Sequence, residues 1–111
     1  MKLIILDRDG VINQDRDDFV KSADEWIPIA GSMDAIAFLT EAGYTVAVAT
    51  NQSGIGRKYF TMQELTEMHN KMHRLAQQAG GVIDGIWFCP HTAADGCDCR
   101  KPKPGMLHEI A

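Results

Sequence analysis

Two aspartates separated by one residue, Asp7 and Asp9, directly follow the first apolar run of the chain and could carry chemistry. Gly10 comes next and permits a tight turn, which would direct both carboxylates to one place. Two carboxylates in one crevice repel each other, so a cation such as Mg²⁺, which prefers hard oxygen ligands, would keep both ionised. One carboxylate could then attack phosphorus while the other moves the proton. The plainer alternative is an Asx turn that binds nothing.

A second polar pair, Thr50 and Asn51, follows another apolar run. Turn chemistry alone would explain it, but the Thr50 hydroxyl and nearby backbone N–H groups could also hold phosphoryl oxygens beside Asp7. A basic run at 100–104 contains two prolines that stiffen the backbone. A lysine of this run would offset charge on a transferring phosphoryl group, and Arg100 could bind a second anionic group bidentately. The alternative is a solvated surface stretch.

The cysteines are concentrated in one short segment. All three lie between positions 89 and 99, and an odd number so closely spaced is a poor disulfide framework. The segment also contains a histidine, which completes a Cys₃His set typical of a structural zinc site. The four candidate ligands are Cys89, His91, Cys97 and Cys99. The alternative is three free thiols in a reducing cytosol. Zinc would pin this loop directly before the basic run.

Strands and helices alternate along the chain around these motifs. Apolar runs at 2–6, 44–49 and 82–88 predict three strands, the first two buried on both faces. Two amphipathic segments between them predict helices, and the charged residues 13–28 predict a loop. The order predicts an α/β fold with a doubly wound parallel sheet. In such sheets ligands bind beyond the carboxyl ends of the strands, where the polar motifs lie.

The helices carry several local signals. Ser32 is predicted to be the N-cap of the first helix. Thr61 and Glu64 have the spacing of a capping box, which predicts the start of the second. On that helix we interpret His69 and His73 as surface residues, since they lack the partners of a metal motif. Its methionines at positions 62, 68 and 72 are predicted to fill the core.

Composition limits the class of protein. A chain of 111 residues, 45% hydrophobic and 23% charged, fits one domain spanning 1–111. The net charge of −4 and the absence of a basic stripe argue against a nucleic-acid partner. No apolar run approaches the roughly 20 residues needed to span a bilayer, and the start does not fit a signal peptide. We therefore expect no membrane association and a cytoplasmic location.

Together these motifs resemble the haloacid dehalogenase superfamily of phosphotransferases, and within it the group of heptose bisphosphate and histidinol-phosphate phosphatases. The resemblance runs through 7–13, 50–56, the Cys/His loop 89–99 and the basic segment 99–106. It implies a monomeric Mg²⁺-dependent phosphatase that removes the 7-phosphate of D-glycero-D-manno-heptose 1,7-bisphosphate through an aspartyl-phosphate, in lipopolysaccharide core heptose biosynthesis. The alternatives are a histidinol-phosphate phosphatase and a non-catalytic, zinc-stabilised domain that binds a phosphorylated ligand.

The resemblance also implies a role for each matching residue. Asp7 would be the nucleophile and Asp9 the general acid and base, with Mg²⁺ on the Asp7 carboxylate and the Asp9 main-chain oxygen. Thr50 and Lys101 would stabilise the phosphoryl group, with Lys103 as a second candidate for the lysine. The zinc would be structural. The substrate-binding residues implied are Asp15, Arg16, Asp17, Asp18, Asn51, Gln52, Ser53, Arg100 and Lys101.

Members of this superfamily continue with a fourth strand beside the first, and its terminal aspartate completes the Mg²⁺ site. The present sequence ends at Ala111 without such a strand. We therefore expect a haloacid-dehalogenase-like Rossmannoid sheet truncated after its third strand, with about two further strand–helix units of roughly 30 residues each in the longer enzyme. The first strand is then expected to form an exposed apolar edge.

Overall fold

The computed structural model describes residues 2–92, 96–97, 99–101, 103 and 105–110, and the side chain of His108 is not among the parts described. Three strands form one parallel sheet in the order β1-β2-β3. Their bounds are Lys2–Leu6 for β1, Tyr44–Asn51 for β2 and Gly85–Cys89 for β3. In register, Leu6 pairs with Val48 and Asn51 pairs with Cys89. The predicted parallel α/β architecture is confirmed.

Helices connect and cover the strands. Their bounds are Ser32–Glu41 for α1, Ser53–Gly56 for α2, Met62–Gln78 for α3 and Gly105–Ile110 for α4, with a 3₁₀ turn at Ala23–Glu25. The capping box is confirmed: Glu64 N–H donates to Thr61 Oγ1 at 3.1 Å, and Thr61 N–H donates to Glu64 Oε1 at 2.9 Å. In the described part of the chain, no helix is both long and apolar enough to cross a membrane.

The main core lies between one face of the sheet and the helices α1 and α3. Val46 and Val48 of β2 are buried there against Ile36 of α1 and against Leu65 and Met68 of α3. The segment between β1 and α1 also contributes, with fully buried side chains at positions 12 and 26. The long predicted loop is therefore fixed to the core, which holds its polar residues at the carboxyl end of the sheet.

The opposite face of the sheet is covered less completely. Met106 of α4 packs on Ala49 and Cys89, so β2 and β3 are covered. On β1, Leu3 is 39% exposed and Ile5 is 38% exposed. The prediction that β1 is buried on both faces is therefore wrong, because α4 packs over β2 and β3. The prediction that β1 is an exposed apolar edge of the described sheet is confirmed.

Several local predictions are corrected. Gly31, with φ of 86°, is the N-cap of α1, while the Ser32 hydroxyl donates to the Ile12 carbonyl at 2.7 Å. Met62 is exposed and outside the core, because it lies in the first turn of α3. The third strand begins at Gly85 and ends at Cys89, whereas the apolar run predicted a strand over 82–88. Pro102 and Pro104, which were predicted to stiffen the basic run, lie outside the described residues.

Candidate functional site

A cavity of about 430 Å³ opens at the carboxyl end of the sheet. Its size is within the range of small-molecule sites. The residues that line it are Asp7, Asp9, Asp15, Arg16, Asp17, Phe19, Val20, Thr50, Asn51, Gln52 and Lys101. The parallel sheet therefore brings most of the predicted site residues together, because β1 and β2 end at the same edge.

Asp7 presents its carboxylate to this cavity. The side chain is 47% exposed, so a ligand can reach it. Its Oδ1 accepts a hydrogen bond from the backbone N–H of Arg8 at 2.7 Å and lies 3.0 Å from Nζ of Lys101. This pairing orients one oxygen of the carboxylate and holds a cation beside it.

Asp9 is held more tightly than Asp7. Its Oδ1 accepts from Nη2 of Arg8 at 2.8 Å and from Nδ2 of Asn13 at 2.9 Å, while its Oδ2 accepts from Nε2 of Gln52 at 2.9 Å. A turn at Gly10, with φ of 82°, allows this arrangement because it brings Asn13 back to Asp9. The carboxylate therefore has donors on both oxygens and a fixed direction.

Thr50 ends the buried part of β2 and is itself buried. Its Oγ1 accepts from Nε2 of Gln52 at 2.9 Å, and its contact with the Asn51 carbonyl at 3.4 Å is long. Because the Gln52 amide occupies an acceptor site of the hydroxyl, the hydroxyl proton is suited to donation toward a ligand oxygen.

Asn51 holds the basic run against the sheet. Its Oδ1 accepts from the backbone N–H of Lys101 at 2.9 Å, and its Nδ2 donates to the Lys101 carbonyl at 3.2 Å. The Lys101 ammonium then reaches the Ala49 carbonyl at 2.9 Å as well as Asp7. Lys103 is exposed and does not line the cavity. Lys101 is therefore the lysine that faces Asp7.

Arg8 lies behind the two aspartates and is completely buried. Burial lowers the pKa of its guanidinium, and the neighbouring carboxylate of Asp9 opposes that effect. Its Nη1 lies 3.3 Å from Nε2 of His69. The interpretation of His69 as a surface residue is therefore wrong, whereas His73 is exposed as predicted. Burial, followed by the charge of Arg8, lowers the pKa of His69 to about 3.

The predicted substrate loop is only partly in the cavity. Asp15, Arg16 and Asp17 line it, whereas Asp18 lies outside, paired with Arg16 at 3.1 Å and with Lys21 at 3.0 Å. The hydrogen bonds from Arg16 and Lys21 hold the pKa of the Asp18 carboxyl well below its usual range. Asp18 is thus engaged within the loop.

Two further predicted residues do not line the cavity. Ser53 is buried in the first turn of α2, and Arg100 donates from Nη1 to the His91 carbonyl at 3.3 Å. Sequence reasoning missed Phe19 and Val20 as part of the wall. Two apolar residues in a charged loop gave no sequence signal for this position. In the structure, Phe19 adopts a positive φ of 68°.

The four candidate zinc ligands converge on one point. Their ligand atoms all lie within 4.8 Å of one another. Cys97 Sγ lies 3.4 Å from Cys89 Sγ and 3.6 Å from Cys99 Sγ, and His91 Nδ1 lies 3.5 Å from Cys99 Sγ. A tetrahedral zinc separates such ligand atoms by about 3.5 Å for sulfur and nitrogen and by about 3.8 Å for two sulfurs, so the S–N distance fits and the two S–S distances are slightly shorter. In the structure Cys89 and Cys99 are joined as a disulfide and Cys97 is a free thiol, so a Cys₃His zinc site requires that disulfide to be reduced.

Comparison with known proteins places these features in a family. The model of the family described as polynucleotide kinase 3 phosphatase matches residues 2–111. A relative from Neisseria meningitidis serogroup A is 84% identical over 99% of this chain and is named D-glycero-beta-D-manno-heptose-1,7-bisphosphate 7-phosphatase. A relative from Thermoplasma volcanium, named as a probable enzyme of that kind, is 37% identical over 99% of the chain and is covered over 75% of its own length.

A solved structure of similar sequence also matches the whole chain. The crystal structure of D,D-heptose 1.7-bisphosphate phosphatase from B. bronchiseptica, complexed with magnesium and phosphate, superposes with a TM-score of 0.98 at 61% identity over the whole chain. This chain spans 62% of that structure and 59% of the Neisseria relative. The chain belongs to the polynucleotide kinase 3 phosphatase family, and with it to the haloacid dehalogenase-like phosphatases.

Proposed function

We propose that the protein is a Mg²⁺-dependent phosphatase that removes the 7-phosphate of D-glycero-D-manno-heptose 1,7-bisphosphate through an aspartyl-phosphate. The observation that carries the proposal is the pairing of Asp7 with Lys101 in the cavity, beside an Asp9 whose carboxylate is fixed. The names of the relatives supply the substrate. The proposal extends to a monomeric enzyme of lipopolysaccharide core heptose biosynthesis in the cytoplasm.

In the first step, a carboxylate oxygen of Asp7 forms a bond to phosphorus while the bond from phosphorus to the C7 oxygen breaks. Asp9 donates a proton to the departing oxygen, so the sugar leaves as an alcohol. The ammonium of Lys101 and the hydroxyl of Thr50 stabilise the negative charge on the transferring group. The exposure of the Asp7 carboxylate suits the first role, and the fixed, half-buried carboxylate of Asp9 suits the second.

In the second step, water attacks the phosphorus of the aspartyl-phosphate, and Asp9 takes a proton from that water. The acyl phosphate bond breaks, which restores the Asp7 carboxylate and releases inorganic phosphate. Residues suited to holding Mg²⁺ are present, since Asp7 offers a carboxylate oxygen to the cavity and Asp9, two residues later in the chain, also lines it. When bound, Mg²⁺ would neutralise charge on the phosphoryl oxygens.

The rest of the proposed substrate site comes from Asp15, Arg16 and Asp17 of the loop and from Asn51 and Gln52, which line the cavity with Lys101. Asp18, Ser53 and Arg100 adjoin these residues in sequence and would contact substrate only from the edge of the cavity. Zinc is proposed as a structural metal on the Cys/His loop, where it would fix the position of the basic run. Zinc requires all three cysteines as thiolates, so its binding depends on reduction of the Cys89–Cys99 disulfide in a reducing compartment.

The test compares phosphate release from the heptose bisphosphate and from histidinol phosphate, using the protein expressed from its natural gene. We expect Mg²⁺-dependent release with a higher kcat/KM for the heptose bisphosphate. In the Asp7→Asn variant, turnover should fall by at least about 10³-fold while substrate binding remains. A preference for histidinol phosphate would replace the substrate assignment. Binding of both phosphates without turnover would identify a non-catalytic binding domain.

A further inference from the structure

We propose that Arg8 is a positioning residue that holds the Asp9 carboxylate in place for proton transfer, and that His69 anchors Arg8 from the core. The inference rests on the proposed function, because Asp9 needs a fixed position only if it exchanges a proton with substrate. It concerns two residues that do not line the cavity and that the mechanism above does not use.

Arg8 contacts one oxygen of Asp9 directly and fixes the other through Gln52. Its Nε and Nη2 donate to Oδ1 of Asp9 at 3.1 Å and 2.8 Å. Its Nη2 also lies 3.2 Å from Oε1 of Gln52. Because a guanidinium only donates, it fixes the Gln52 amide with its oxygen toward Arg8. The Gln52 nitrogen must then face Oδ2 of Asp9, to which it donates at 2.9 Å.

His69 holds the far end of the guanidinium. Because Nη1 of Arg8 carries only donors, the His69 Nε2 that lies 3.3 Å away must present its lone pair, with the ring proton on Nδ1. The ring is buried on α3 and packs near Phe88 of β3, with centroids 6.3 Å apart. A side chain fixed to a long helix and to the sheet thereby sets the position of Arg8.

Burial of a guanidinium costs free energy that burial of an apolar side chain does not. Removing such an ion from water is costly, and well-packed apolar side chains often replace buried ion pairs without loss of stability. Arg8 is fully buried, while its partner Asp9 keeps 25% of its side chain exposed toward the cavity. The Arg8 guanidinium therefore lies where it can orient the Asp9 carboxylate, which substrate can reach from the cavity.

Positioning of a general acid has a distinctive kinetic consequence. An alkyl leaving group such as a sugar hydroxyl needs a proton as it departs, whereas p-nitrophenolate is stable enough to leave without one. A change that displaces Asp9 should therefore slow the first step on the sugar phosphate and leave the first step on p-nitrophenyl phosphate almost unchanged. General unfolding of the site would slow both steps equally.

The experiment measures the single-turnover rate of leaving-group release with both esters, using the protein expressed from its natural gene. The Arg8→Met variant should lose about 10²-fold on the heptose bisphosphate, since a general acid contributes about 10²–10⁴-fold, and less than about 5-fold on p-nitrophenyl phosphate. Arg8→Lys keeps the positive charge but lacks the planar fork, so it should show the same selective loss.

His69 is tested in parallel. His69→Phe should show a smaller selective loss of about 10-fold, a share of the general-acid contribution, because the anchor is gone. His69→Gln retains an acceptor and should restore the rate. His73→Phe, one turn along the same helix and exposed, is the matched control and should behave as wild type.

Three results would overturn the inference. The first is an equal loss on both esters in the Arg8→Lys variant, which would show a structural role. The second is wild-type behaviour of both Arg8 variants, and the third is a His69→Phe variant that behaves like His73→Phe. A wild-type protein inactive on both esters would instead refute the proposed function, and the role of Arg8 with it.

Discussion

The buried histidine predicts a specific loss of stability in mild acid. His69 has a pKa of about 3 in the folded protein and an ordinary value of 6.5, because burial and the charge of Arg8 disfavour its protonated form. Well above pH 6.5, neither the folded nor the unfolded state binds a proton on His69, so its contribution to stability is fully present. As the pH falls through 6.5, the unfolded chain gains a proton that the folded protein does not take, so the folded state becomes relatively less stable.

The size of the effect follows from the two pKa values. At about pH 5, protonation stabilises the unfolded state by RT ln(1 + 10^1.5), about 2 kcal/mol, while the folded state gains almost nothing. The wild-type protein should therefore lose about 2 kcal/mol more than a His69→Gln variant between about pH 7.5 and about pH 5. The glutamine keeps an acceptor for Arg8 and does not titrate. Other titrating groups are common to both proteins and cancel in the difference.

The assay is urea unfolding of both proteins at the two pH values, with the free energy of unfolding extrapolated to water. His73→Gln is the control, because it makes the same substitution at an exposed histidine one turn along the same helix. Equal pH dependence of the wild type and His69→Gln would refute the reasoning, since His69 would then be protonated in the folded protein. Such a His69 could not accept from Arg8.

Three further predictions concern other parts of the structure. Thr61→Ala removes the capping box of α3 and should lower the free energy of unfolding by about 1 kcal/mol, with Thr66→Ala in the exposed helix surface as the comparison. Asn51→Ala removes both hydrogen bonds to the Lys101 backbone and should lower kcat on the heptose bisphosphate by about 10- to 100-fold. An unchanged kcat would contradict a role of Asn51 in positioning Lys101. Native mass spectrometry should find one zinc per chain that Cys97→Ser loses. A zinc-free mass lower by two hydrogens would indicate the Cys89–Cys99 disulfide instead.

The convergence of the site could be predicted from the sequence. Asp7 and Thr50 each end an apolar run, and parallel strands put such ends at one edge of a sheet. The Cys and His spacing predicted a cluster, and the structure brings those four ligand atoms together. These predictions succeed because each depends on local pattern and on the direction of the strands alone.

The buried contacts that hold the site residues in place could not be predicted in the same way. Arg8 lies between two aspartates in sequence, and nothing local indicates that its guanidinium points inward to His69. His69 adjoins Met68 on the buried side of α3, so its position alone was compatible with either environment. The exposure of Leu3 and Ile5 depends on where α4 packs, which is a tertiary property.

The central claim is that Asp7 is the group that attacks phosphorus. The most direct measurement is to mix the protein expressed from its natural gene with the heptose bisphosphate and Mg²⁺, quench with borohydride, and map the modified residue by tandem mass spectrometry. Borohydride reduces an acyl phosphate, so the account predicts homoserine at position 7 and unmodified aspartate at position 9. Homoserine at position 9, or phosphate release without any reduced aspartate, would contradict it.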